Sequence, residues 1–86
     1  MNRTEPAAGQ LRVFTQSFRY LQLGPTQPRG MVRFYEGQTV LLLEKHLVGP
    51  VTVWTIATIG GRLYDINADS LFGNSDLVAE ADSERT

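Results

Sequence analysis

Two runs of β-forming residues, separated by Gly60-Gly61, constrain the fold of this chain more than any other feature. Residues 51–59 (VTVWTIATI) and 62–66 (RLYDI) are rich in β-branched and aromatic side chains, which favour strands. Glycine adopts positive φ without a steric penalty, as a two-residue hairpin turn requires. The sequence therefore predicts a β-hairpin that turns at Gly60-Gly61, with Gly61 at positive φ.

A two-residue turn also divides the side chains of the hairpin between two faces, because successive residues of a strand point in opposite directions. It places Ala57 opposite Tyr64. The first face then holds Val51, Val53, Ala57, Ile59 and Ile66, and the second holds Trp54, Ile56 and Leu63. Both faces carry apolar groups, and the sequence leaves open which of them forms the core.

The remaining segments indicate further short elements. The other predicted strands are residues 31–35, 39–44 and 76–79, and residues 45–50 are predicted as a loop. After the hairpin, Asn67 or Asp69 can cap a single helical turn. Residues 11–23 fit both a helical and an extended pattern, and their aromatic content favours a strand.

The order of a strand, a loop, a long hairpin, one helical turn and a brief closing strand resembles that of SH3-like barrels. The resemblance covers residues 37–78 and is best in VWTIATIGGRLYDINADSLF, where Trp54 begins a hairpin strand. It implies a mainly-β fold, a small SH3-like barrel of about five strands with one short helical turn. The chain lacks the ALYDY-type opening, the tandem tryptophan and the proline before the helical turn of peptide-binding SH3 domains. Recognition of proline-rich peptides is therefore not implied.

Length and composition are those of one small globular domain. The 86 residues include no cysteine, and 42% of them are hydrophobic, so packing and hydrogen bonds must stabilise the fold without disulfides. We expect a single domain over residues 11–79, between a disordered N-terminus (1–10) and a disordered acidic tail (80–86). Because no signal-like or membrane-spanning apolar run occurs, the expected location is the cytoplasm and no membrane partner is expected.

Few residues in the sequence are suited to enzymatic chemistry. His46 is the single histidine and is expected in a solvated loop. Asp65 and Asp69 are close in sequence, but Asp69 is better explained as a helix cap. No nucleophile, metal-binding or phosphate-loop motif occurs. We therefore expect a binding protein without catalytic residues, metal ligands or cofactors.

A surplus of apolar faces predicts a protein partner. Residues 39–44 (TVLLLE) are apolar on both sides, so Leu41 and Leu43, or else Val40 and Leu42, must be covered by residues 11–23 or by a second chain. A small barrel has one interior, and residues 11–23 can cover only one further face. We expect a protein-interaction or assembly module, most simply a homodimer. The predicted contact residues are Leu43, Trp54, Ile56 and Leu63.

The alternative function is nucleic-acid binding by the first half of the chain. Residues 6–35 contain four arginines and no acidic residue, although the whole chain has a formal charge of −1. Arginines between aromatic residues can hold phosphates and stack on bases. The competing explanation is that the aromatic residues form core and the arginines form a solvated face. The candidate residues are Arg12, Arg19, Arg33, Tyr20 and Tyr35.

Overall fold

The computed structural model describes residues 7–79, which form seven β-strands and one short helix. In chain order the elements are β1 (Leu11–Phe14), β2 (Phe18–Gln22), β3 (Gly30–Phe34), β4 (Thr39–Val48), β5 (Val51–Thr58), β6 (Leu63–Asn67), α1 (Ala68–Gly73) and β7 (Ser75–Ala79). The prediction of a mainly-β fold with one helical turn is confirmed, with seven strands in place of about five.

The strands form two antiparallel sheets. Five strands lie in the order β6-β5-β4-β1-β7, while β2 and β3 pair with each other. No backbone ladder joins the two sheets within the described residues, so the predicted barrel is not closed there. Side chains of β2 reach the free edge of β6 instead. The Asp65 N–H donates to Gln22 Oε1 at 2.8 Å, and the Asn67 N–H donates to Tyr20 Oη at 2.9 Å. These two bonds engage backbone N–H groups of β6 that would otherwise be free to pair with another strand.

One hydrophobic core packs the β2–β3 hairpin against the five-stranded sheet. Its buried members are Phe14, Phe34, Val40, Leu42, Trp54, Ile56, Ile66 and Leu71. The Phe34 ring centroid lies 4.9 Å from that of Phe14 and 5.4 Å from that of Phe18. Phe34 also meets the ring of Tyr64 in an edge-to-face arrangement at 5.3 Å. Phe34 therefore connects the hairpin with both β1 and β6.

The turn between β5 and β6 contains three residues and not two. The Thr58 N–H donates to the Arg62 carbonyl oxygen at 2.9 Å, and the Gly61 N–H donates to the Thr58 carbonyl oxygen at 2.9 Å. Gly61 has a φ of 89°, which confirms the predicted positive φ, whereas Gly60 does not have a positive φ. This is a three-residue hairpin loop whose last residue is left-handed.

The longer turn changes the register of the hairpin by one residue, so the predicted register is wrong. Ala57 pairs with Leu63, and Trp54 pairs with Ile66. Because a one-residue change moves every side chain of one strand to the other face, Trp54, Ile56 and Ile66 share a face. All three are buried, and that face forms the core.

Replacing Gly61 by valine is expected to destabilise the hairpin. Nothing lies within 4 Å of a Cβ added there, so the cost comes from the left-handed backbone, about 2 kcal/mol for a non-glycine residue. In a domain of this size the melting temperature would fall by roughly 10 °C. Gly60→Val is the matched control because Gly60 has no positive φ. Equal melting temperatures for both variants in a thermal scan would contradict the turn geometry.

Two segments differ in part from their predictions. Residues 11–23 are extended, as their aromatic content favoured, but they form two strands, β1 and β2, separated by a bend at residues 15–17. The predicted loop at 45–50 is wrong over most of its length, because β4 continues to Val48 and the chain turns at Gly49-Pro50. His46 consequently lies in a strand.

The sequence offers Asn67 and Asp69 as caps for the helix, and in the structure the cap is Asn67. Its side-chain oxygen accepts a hydrogen bond from the Ser70 N–H at 2.7 Å, so Asn67 is the N-cap and Asp69 lies in the first turn. Within residues 7–10, which belong to the predicted disordered N-terminus, the Gly9 N–H donates to the Leu42 carbonyl oxygen. The rest of that prediction, at 1–6, and the predicted tail at 80–86 lie outside the described residues.

Candidate functional site

A fully buried carboxylate on β6 anchors the loop that joins β2 to β3. Oδ2 of Asp65 accepts from the backbone N–H groups of Thr26 and Gln27, at 2.7 and 2.8 Å. Oδ1 accepts from the hydroxyls of Thr26 and Thr55, at 2.6 and 2.7 Å. Since Asp65 and Thr55 point away from the core face of their strands, the loop crosses the edge of β6 and is held on the outer side of the sheet.

These four hydrogen-bond donors stabilise the negative charge of Asp65. Burial by itself would raise the pKa of the Asp65 carboxyl, but the hydrogen bonds from Thr26 and Thr55, together with those from the N–H groups of Gln27 and Thr26, lower the pKa below its ordinary value. A carboxylate that accepts several hydrogen bonds is stabilised in its charged form. Asp65 is therefore an ionised structural anchor.

His46 joins the same cluster from β4. Its Nε2 lies 2.9 Å from Thr55 Oγ1 and 3.9 Å from a Glu44 carboxylate oxygen. Because the Thr55 hydroxyl donates its proton to Asp65, the imidazole is the donor toward Thr55. This arrangement positions the loop and does not activate the Thr55 hydroxyl as a nucleophile. His46 was expected in a solvated loop, and its place in this cluster follows from the extension of β4.

The four predicted partner-contact residues are divided between the core and the surface. Trp54 and Ile56 are 2% and 0% exposed, whereas Leu63 and Leu43 are 42% and 39% exposed. The face of Trp54 and Ile56 is therefore the inner face, which corrects their predicted exposure. The physical reason is the register of the hairpin, because the three-residue turn pairs Trp54 with Ile66 of the core.

A row of apolar residues crosses the outer face of all five strands of the larger sheet. Successive cross-strand neighbours in this row are Leu63, Ala57, Leu41, Leu11 and Ala79. At about 4.8 Å between strands, the row is about 19 Å long. It borders a groove of about 210 Å³ that includes Ile59, which is 88% exposed. We call the row and Ile59 together the sheet face.

The sequence identified part of the sheet face. Leu41 was one of two alternatives in the TVLLLE strand, and Leu63 was selected as a contact residue. Leu11 was missed because residues 11–23 fit both a helical and an extended pattern. Its pairing with Leu41 becomes visible only when β1 is known to be a strand. The alternation of Leu11, Arg12, Val13 and Phe14 was the available signal.

A second groove, of about 340 Å³, lies between the anchored loop and the β4–β5 turn. Its walls are mainly aliphatic and include Leu23, Pro25, Val48, Val51 and Val53. Leu23 is 64% exposed. The Asp65 anchor fixes the loop side of this groove, since Thr26 follows Pro25 directly.

Arg12, a candidate phosphate contact, is buried and not on a solvated face. Its Nε donates to Ser75 Oγ at 2.8 Å, one terminal nitrogen donates to the Ser75 carbonyl oxygen at 3.1 Å, and the guanidinium lies 4.6 Å from the centre of the Phe72 ring. Burial lowers the pKa of Arg12, and nearby Asp76 acts in the opposite direction. The nucleic-acid prediction for Arg12 is corrected, because β1 points this side chain toward the end of α1.

The other candidates are brought together on the β2–β3 hairpin. Arg19 and Arg33 are exposed and lie directly opposite each other. Tyr35 is exposed, and the Arg33 guanidinium lies 5.6 Å from the centre of its ring. Tyr20 is half-buried and bonded to β6, so it belongs to the inner face of the hairpin. Three of the five predicted residues therefore share one outer surface.

Two further kinds of feature are absent from residues 7–79. No group of three or more histidine, cysteine or acidic side chains there has the arrangement to hold a metal ion. Within the same range, no helix has both the length and the apolar character to cross a bilayer. Comparison of the chain with protein-family models, with curated proteins and with solved structures found no match.

Proposed function

We propose that this chain is a small protein-interaction module of the SH3-like kind that self-associates through the sheet face. The SH3-like assignment is supported by chain order, since β4, the β5–β6 hairpin, α1 and β7 follow one another as the resemblance implies. The closing strand β7 pairs with β1 and completes the five-stranded sheet. The function proposed is binding and assembly, with burial of apolar surface as its driving force.

The observation that carries the proposal is the apolar row, which is half-buried at Leu11, Leu41 and Ala57 and exposed at Leu63 and Ala79. The five cross-strand neighbours are all aliphatic, and at one end of the row Leu63 is 42% and the adjoining Ile59 88% exposed. Soluble monomers seldom leave a large contiguous apolar patch in water. A leucine or isoleucine side chain contributes about 2 kcal/mol when it passes from full exposure to full burial.

The expected occupant is a second copy of this chain. The row contains no charged residue, so a two-fold axis would bring two neutral surfaces together without repulsion between like charges. The outer surface of the β2–β3 hairpin differs in this respect, since Arg19 and Arg33 would meet their own copies. Charge therefore favours the sheet face over the hairpin for self-association.

The test is the oligomeric state of variants that carry a charge on the sheet face. Wild type is expected to be a dimer at high micromolar concentration, and Leu63→Lys or Ile59→Lys is expected to yield folded monomers, because a lysine cannot be desolvated at that contact. Sedimentation velocity gives the mass and circular dichroism verifies the fold.

Leu47→Lys is the matched control for this experiment. Leu47 is 75% exposed but lies near the far end of β4, away from the row. A monomeric wild type, or equal dissociation by Leu47→Lys, would contradict self-association through this face. Trp54 fluorescence does not discriminate between the states, because Trp54 is in the core of each protomer.

A further inference from the structure

The outer surface of the β2–β3 hairpin carries two arginines in a directly opposed pair. Arg19 and Arg33 are cross-strand partners, and both are exposed. Like charges directly opposite each other on a sheet are destabilising. No described carboxylate lies within ion-pair distance of either guanidinium, and residues 6–35 contain no acidic residue. The hairpin thus keeps an unfavourable charge pair that an external anion would relieve.

The next outward rung of the same hairpin is aliphatic. Leu21 pairs with Met31, and they are 45% and 61% exposed. Because outward residues recur every second position, this rung lies about 7 Å from the arginine rung. Arg29, the residue before β3, is a further exposed cation of this segment. The surface therefore changes from cationic to aliphatic along the hairpin. We call it the hairpin face.

We propose that the hairpin face binds the surface of an anionic lipid bilayer. Leu21 and Met31 would enter the boundary between headgroups and acyl chains, and the arginines would contact lipid phosphates and carboxylates. Interfacial membrane binding combines burial of apolar side chains with attraction of basic residues to anionic lipids. Tyr35, an amphipathic ring next to Arg33, suits the headgroup level.

The composition of the hairpin face favours lipid over single-stranded nucleic acid. Nucleic-acid grooves stack successive bases on aromatic side chains, whereas the central outward pair here is Leu21 with Met31. Among the described residues, Tyr35 is the single aromatic side chain on this surface, and the Arg33 guanidinium already lies near its ring. Aliphatic side chains gain more from an acyl boundary than from base edges.

The hairpin is held rigidly enough to present this surface. Its inner side chains pack in the core, and its loop is fixed by Asp65. Binding would therefore need no folding of the hairpin, which limits the entropy cost of association. The hairpin face shares no residue with the sheet face, so the inference is independent of self-association.

The experiment is co-sedimentation of the full chain with vesicles of phosphatidylcholine alone and of phosphatidylcholine mixed equally with phosphatidylserine. Wild type is expected to bind the mixed vesicles and not the neutral ones, and binding should weaken as salt rises. The double variant Arg19→Gln/Arg33→Gln is expected to bind about 25-fold more weakly, since each arginine contributes about fivefold. Leu21→Ser/Met31→Ser should also reduce binding, because burial of aliphatic side chains is part of the interaction.

Arg62→Gln/Arg85→Gln is the matched charge control, because both substitutions lie outside the β2–β3 hairpin. This variant should retain most of the binding. Circular dichroism establishes that each variant is folded. Absence of binding to the mixed vesicles, or equal losses for the two arginine variants, would overturn the proposal. Tighter binding to a single-stranded oligonucleotide, sensitive to the arginines but not to Leu21 and Met31, would assign the hairpin face to nucleic acid instead.

Discussion

Replacing Asp65 by asparagine is expected to lower the free energy of unfolding by about 3 kcal/mol at pH 7. The carboxylate accepts four hydrogen bonds, two at each oxygen. An asparagine amide keeps one oxygen, which can accept from the two backbone N–H groups, but its NH₂ group cannot accept from the Thr26 and Thr55 hydroxyls, which lose their charged acceptor. Buried donors without acceptors cost more than the bonds themselves contributed.

The loss is expected to depend on pH in a defined direction. The folded pKa of Asp65 lies below its ordinary value of 3.8, so its contribution to stability is complete above the unfolded pKa and is lost as pH falls through the folded pKa. The difference between wild type and Asp65→Asn should therefore be largest near neutrality and should shrink below about pH 4. Urea unfolding at several pH values measures this difference.

Two further measurements sharpen the Asp65 experiment. Glu36→Gln, which removes an exposed carboxylate, should change stability by under about 0.5 kcal/mol. Release of the anchored loop should also accelerate trypsin cleavage after Arg29, because local opening exposes the backbone. A constant difference between the variants from neutral pH to strong acid, with no change in cleavage, would show that Asp65 does not act as an ionised anchor.

Phe34→Ala is expected to cost about 4 kcal/mol, in the range found for truncation of a buried phenylalanine. The Phe34 side chain is 0% exposed and contacts the rings of Phe14, Phe18 and Tyr64. Its removal would leave a cavity where the hairpin meets the sheet. Since no backbone ladder joins the two sheets within residues 7–79, packing carries a large share of their association.

Tyr35→Ala is the adjacent control for Phe34→Ala. Tyr35 is 55% exposed on the opposite side of the hairpin, so its truncation should cost less than about 1 kcal/mol. Chemical denaturation of both variants gives the two values. Similar costs for the two would mean that Phe34 does not connect hairpin and sheet in this way.

Local features of the chain were readable from the sequence because their causes lie within a few residues. The Gly60-Gly61 pair between two β-rich runs predicted the hairpin and the positive φ of Gly61. Asn67, one of two candidate caps, bonds to the Ser70 N–H three residues later. In each case the backbone geometry depends on a side chain, or on its absence, at that position.

Which face of the β5–β6 hairpin forms the core could be read only from the tertiary structure. Two-residue and three-residue turns both fit Gly60-Gly61, and they differ by one residue in register. The structure has the longer turn because it places Trp54, Ile56 and Ile66 together in the core, which no local rule requires. The same choice directs Leu63 and Ala57 outward, to the sheet face.

Charged residues were least accessible to sequence reasoning, because their environment comes from segments distant in the chain. Arg12 is paired with Ser75, 63 residues away, and Asp65 holds a loop 39 residues before it. Arginine and aspartate are residue types that usually lie on the surface. Arg12 and Asp65 are nevertheless buried, because distant segments of the fold supply their hydrogen-bond partners. The sequence by itself determined a small β-rich domain, its central hairpin and its helix cap. Only the tertiary structure decided which apolar face is covered and which arginines reach solvent, since burial depends on contacts between strands far apart in sequence.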